Sequence, residues 1–129
     1  MVSQVTAAVE AVRRAEARQD VPARAQLEKT CWLWHKDPEG WTAREATRWE
    51  QLKDKPLVTG LAYAMRLQLQ RAHVAATERQ ARSRFRQWCA GVRQEAEAME
   101  SRLLEPMRKV ADIVERHLEG ILLLADQGN

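Results

Sequence analysis

Three apolar stripes in the second half of the chain confine it to helices. Val58, Ala62, Met65, Leu69, Ala72 and Ala76 alternate steps of four and three. That spacing puts side chains on one face of a helix. Ala81, Phe85, Trp88, Val92, Ala96, Met99 and Leu103 repeat the pattern, and so do Met107, Val110, Ala111, Val114, Leu118, Ile121, Leu122 and Ala125, with Pro106 placed to begin this last helix. Nowhere does a β-branched run alternate with polar residues as a half-buried strand would. Abundant Ala, Leu, Glu, Arg and Gln act in the same direction, because they lose little freedom in a helix. The pattern predicts an all-α fold, a bundle of about five to six helices with long antiparallel helices in the C-terminal half. A chain of 129 residues suits one domain. Within it, residues 1–56 read as shorter helices and residues 57–129 as a long hairpin-like part. Small residues at Ala62, Ala72 and Ala96 suit close packing within one chain rather than a coiled coil.

Boundary signals divide the first half. Val2, Val5, Val9 and Val12 mark a first helix, which Arg13 and Arg14 are placed to close. Asp20 to Pro22 ends or interrupts it, and a second helix buries Leu27, Cys31 and Trp34. Asp37-Pro38-Glu39-Gly40 forces a turn. Thr42 with Glu45 three residues later forms a capping box, with Trp41 and Ala46 at the staple positions. Lys53-Asp54-Lys55-Pro56 ends that helix, since the residue before proline is pushed out of helical geometry. Thr77 is placed to cap the helix that carries Trp88.

Charge singles out one stretch. Net charge is only +3. Between Arg71 and Arg93, however, six arginines (Arg71, Arg79, Arg82, Arg84, Arg86 and Arg93) face one acid, Glu78. Such a stretch can meet phosphate, and it can equally be a solvated helix face. Arg79, Arg82 and Arg86 follow steps of three and four and form a row, with Arg84 pointing toward its edge. Cys31 and Cys89 form no C-x-x-C pattern and read as free thiols, so no metal site is expected. His35, His73 and His117 are scattered without partners at ligand spacing. No phosphate-binding glycine loop is present, and no small-molecule substrate is evident. The N-terminus lacks the apolar core of a signal peptide, and no apolar run is long enough to span a bilayer. The expectation is a cytoplasmic chain without membrane contact.

The tryptophans carry more specific information. Four of the five (Trp32, Trp34, Trp41 and Trp49) fall within residues 32–49, while the whole chain has one Tyr and one Phe. Trp34, Trp49 and Trp88 fall on apolar stripes and read as core. Trp32 and Trp41 lie off or at the edge of them and are the accessible candidates, able to stack on exposed bases. A W-L-W run, the D-P-E-G break, W-T, E-A-x-R-W-E and V-T-G-x-A-Y-x-M-R-L follow one another from Trp32 to Leu67. R-x-W-C-A-x-V at Arg86–Val92, L-L-E-P-M-x-x-V-A at Leu103–Ala111 and H-L-E-G-I-L at His117–Leu122 continue the series. In this order, the motifs resemble bacterial DDE transposases of the ISL-three insertion-sequence type, over nearly the whole chain.

That resemblance implies a role. In this family a ribonuclease-H-like catalytic domain carries three acidic residues, with a helical segment inserted between the second Asp and the final Glu. This chain resembles the insertion, ending before an F-x-E-G-x-N glutamate. Glu119, in H-L-E-G-I-L, does not correspond to the catalytic Glu. DDE chemistry needs convergent carboxylates to hold two metal ions, and no acidic residue here matches such a position. The expectation is therefore a non-catalytic segment with no cofactor of its own, although the intact family enzyme would use a divalent metal, Mg²⁺. In that enzyme it would help bind transposon DNA, through Arg79, Arg82, Arg84 and Arg86, or contact neighbouring subunits or the remainder of the transposase. The alternatives are a stand-alone helical DNA-binding or regulatory protein and a small all-helical enzyme.

Overall fold

The computed structural model describes residues 2–72, 74 and 77–127, and leaves aside the side chains of Val2 and of residues 119–127. Seven α-helices follow one another: α1 (Val2–Gln19), α2 (Val21–Leu27), α3 (Cys31–His35), α4 (Ala43–Leu52), α5 (Val58–Ala72), α6 (Glu78–Ala98) and α7 (Glu105–Gln127), with a 3₁₀ turn at Pro38–Gly40. The described residues contain no strand. The all-α expectation holds.

The four long helices close into a ring. α1 packs on α5 and α7, α5 on α6, and α6 on α7. The short connection 99–104 turns α7 back along α6, as short links between packed helices do. The stripes meet inside. Val5, Val9 and Val12 face Ala62, Met65 and Leu69, together with Trp88, Val92, Met107, Val110, Ala111 and Val114, in one buried cluster. The stripe positions Ala76, Ile121, Leu122 and Ala125 lie outside the described residues or side chains.

The helix count rises from the expected five or six because the N-terminal half is more divided. α1 does not close at Arg13 and Arg14 but continues to Gln19. Both arginines instead hold Glu10 within the helix. Asp20 then caps α2, accepting from the Ala23 N–H at 3.2 Å. The predicted second helix breaks in two where Lys29 adopts φ 61°, a left-handed conformation that ends a helix. Thr30 restarts the chain. Its hydroxyl donates to the Leu27 carbonyl and accepts from Trp34 Nε1 at 2.9 Å. α6 stops at Ala98 because Met99 is extended, so Leu103 is buried in the connection rather than on the helix.

The other caps form as expected. Thr42 and Glu45 make the capping box, and Thr77 accepts from the Gln80 N–H. The staple does not form, since Ala46 is exposed. Trp41 packs on Trp49 and Tyr63 instead.

Candidate nucleic-acid interface

Helix α6 carries the four arginines, and its packing sorts them. Trp88, Cys89 and Val92 are its buried residues. Trp88 Nε1 donates to the Met65 carbonyl at 2.7 Å, which anchors α6 to α5. Cys89 donates to the Ala111 carbonyl of α7, and burial raises its thiol pKa above the ordinary value. With the helix fixed from both sides, Arg79, Arg84 and Arg86 are exposed, without an acidic partner among the described residues. Arg82 is different. It pairs with Glu78 at 3.1 Å, and its Nε is shut from solvent without an acceptor. Arg93, further along the same edge, is paired with Asp112 and Glu115 of α7. Hydrogen bonds to these two carboxylates raise its pKa.

Arg84, which points off the predicted row, meets a partner surface from α5. A groove of about 420 Å³ runs between the two helices, lined by Gln68, Arg71 and Ala72 on one wall and Arg84, Gln87 and Trp88 on the other. Two guanidiniums and two amides are the polar groups of this groove. Guanidinium forks and amide N–H groups are the donors that phosphate oxygens take. Arg71 as the facing wall is a feature that helical spacing on α6 alone does not reveal.

A second groove, about 570 Å³, lies across the tryptophan region between α2–α3 and α4. Lys29, Lys36, Arg44 and Arg48 line it with Trp32, and so do the acids Glu28 and Glu45. Lys36 is neutralised by Glu45 at 2.8 Å, and Arg48 donates to the Gln26 carbonyl. Trp32 stands out at 70% exposed, so the accessible tryptophan anticipated at this position is there. Trp41 is not its equal. Its Nε1 donates to the Leu33 carbonyl, and its ring stacks on Tyr63.

Trp34, Trp41, Trp49 and Tyr63 form one aromatic cluster with centroids 5.4–6.0 Å apart. Arg66, only 4% exposed, reaches beneath it. Its guanidinium donates to the carbonyls of His35 and Lys36 and to Asp37 Oδ1 at 3.2–3.3 Å. It thus closes the end of α3, where a cation suits the exposed carbonyls. Glu16 does the opposite job at the start of α5, accepting from the Val58 and Thr59 N–H groups and the Thr59 hydroxyl at 2.7–2.9 Å. Sequence reasoning singled out neither residue, because each acts on backbone far away along the chain.

Groups able to bind a cation are few. Among the described residues, one set of three converges, Glu10, Cys31 and His35. No three carboxylates do. His117 is exposed, while His73 and the Glu119 side chain lie outside the description.

The described residues thus form an all-helical bundle with Arg79, Arg84 and Arg86 exposed and without acidic partners. The comparison with known families is specific: the model of the ISL-three DDE family, described as a transposase, matches residues 1–128. The chain belongs to this family of transposases. No curated protein and no solved structure matches it.

Proposed function

We propose that this chain is a non-catalytic helical part of a transposase that grips transposon DNA by its phosphates, from the α5–α6 surface. The observation that carries the reading is the placement of Arg71 and Arg84 on facing walls of one groove, with Arg79 and Arg86 exposed on the same helix. Cations without acidic partners keep their charge available for phosphate, whereas Arg82 and Arg93 spend theirs within the fold. Such contacts hold a duplex without choosing a sequence. The family supports DNA as the partner. The lack of three convergent carboxylates among the described residues supports a role other than strand cleavage.

Two assays test this. A gel-shift titration of transposon-end duplex should give a complex with the wild-type chain that Arg79→Gln/Arg84→Gln/Arg86→Gln weakens. Incubation of the same duplex with Mg²⁺ or Mn²⁺ should leave it intact. Chelator-sensitive cleavage that persists across independent preparations would overturn the non-catalytic reading. The exposed Trp32 beside Lys29 and Arg44 favours a second DNA surface, where an unpaired base could stack. If Trp32→Ala, rather than the arginine variant, abolishes the shift, that groove is the interface.

A further inference from the structure

We propose that Glu10, Cys31 and His35 form a zinc-binding site that fastens α3 to α1. Cys31 Sγ lies 3.9 Å from Glu10 Oε2 and 3.9 Å from His35 Nε2, and His35 Nε2 lies 3.4 Å from the same Glu10 oxygen. A tetrahedral zinc with bonds of about 2.0 Å to oxygen and nitrogen and 2.3 Å to sulfur spaces its donors roughly 3.3–3.6 Å apart. A contraction of a few tenths of an ångström toward a shared ion would complete the triangle. The donor set of thiolate, imidazole and carboxylate suits a borderline-soft ion such as Zn²⁺ and does not suit Mg²⁺ or Ca²⁺.

The sequence spacing and the surroundings fit this use. Cys31 and His35 are four apart on one helix, so their side chains share a face. Glu10 comes from α1 and is only 12% exposed. Arginines reach both of its oxygens. Arg13 and Arg14 hold Oε1, while Oε2 receives Arg13 Nε at 2.9 Å and faces the thiol and imidazole. Arginines behind a ligating carboxylate fix its orientation, as outer partners of metal ligands do. Arg13 and Arg14 already offset the carboxylate's charge, so the negative charge left to meet the ion is that of the Cys31 thiolate. The Trp32 and His35 rings meet edge to face, with centroids 6.0 Å apart. The His35 side chain is 32% exposed, so water can reach the fourth position. Ligation requires Cys31 to release its proton to solvent. The benefit is mechanical, since five residues are too few to hold a helix unaided. α3 carries Trp34 into the aromatic cluster.

The test is titration of the metal-free reduced chain with Co²⁺ and then Zn²⁺. The expected result is one equivalent bound at micromolar concentration, with a thiolate-to-cobalt charge-transfer band that Zn²⁺ bleaches, and a higher melting temperature in Zn²⁺ that a chelator reverses. Cys31→Ser should lose the band and Cys89→Ala should keep it. His35→Ala should weaken Zn²⁺ binding by roughly tenfold or more. This third variant alters a part-exposed side chain, so it decides the matter even if Cys31→Ser does not fold. No saturable binding by the wild type, a band retained in Cys31→Ser, or an unchanged affinity in His35→Ala would each overturn the site. The assay involves no DNA, so it stands apart from the DNA-binding proposal.

Discussion

Individual buried polar residues do much of the specifying in this fold. Glu16 is 3% exposed and is spent on the first N–H groups of α5, which have no partner within their own helix. Truncating it strands two backbone N–H donors and the Thr59 hydroxyl. Glu16→Ala should therefore lower stability by about 2–4 kcal/mol, read as a fall in denaturation midpoint at constant slope. Thr59→Val, which removes only the hydroxyl contact, should cost less. Tyr63 offers a cleaner optical test, because it is the only tyrosine in the chain. Its hydroxyl donates to the Lys36 carbonyl at 2.6 Å, and burial pushes its pKa up to about 12. The protonated form is thus favoured in the folded state. Its contribution to stability is complete below the ordinary value near 10 and is lost as pH rises toward 12. Phenolate absorbance should appear near pH 12 in the native chain and near 10 in denaturant. A native midpoint near 10 would show that the ring is not buried as described.

At the scale of the element, α6 joins the core to the candidate interface. Trp88 is 6% exposed and hydrogen-bonded to α5. Trp88→Ala should cost about 3–5 kcal/mol, whereas Trp88→Phe, which keeps a ring but loses the N–H, should cost less. An unchanged midpoint in the alanine variant would show that the α5–α6 seam is not core. The elements were largely legible in the sequence because their signals are local. Each long stripe needs only helical spacing, and the caps at Thr42 and Thr77 need only the next three residues. What escaped was non-local or conformational. Nothing near Lys29 announces a left-handed residue, so α2 and α3 read as one helix. Arg66 reads as a polar interruption in α5 until the end of α3 is placed against it. Glu10 and Cys31 are 21 positions apart, so no spacing rule links them. The candidate interface was legible in part. The arginine-rich stretch was visible, but which arginines are free depends on Glu78 and on the acids of α7.

For the whole molecule, the distribution of charge matters more than its sum. A net charge of +3 is too small to draw the chain onto DNA without a concentrated surface. The ring of α1, α5, α6 and α7 leaves Arg71, Arg79, Arg84 and Arg86 exposed, and these are the residues through which the proposed surface would act. No helix among the described residues is long and apolar enough to cross a membrane. Counterion release gives the account its most direct test. The affinity of the wild-type chain for transposon-end duplex, measured by fluorescence anisotropy across a salt series, should fall linearly on logarithmic axes. Each phosphate contact adds about 0.9 to the slope. Arg79→Gln/Arg84→Gln/Arg86→Gln should bind more weakly and flatten the slope by up to about 2.7, with its thermal unfolding unchanged. A wild-type chain that does not bind duplex DNA, or a triple variant that binds as tightly at every salt concentration, would contradict the account.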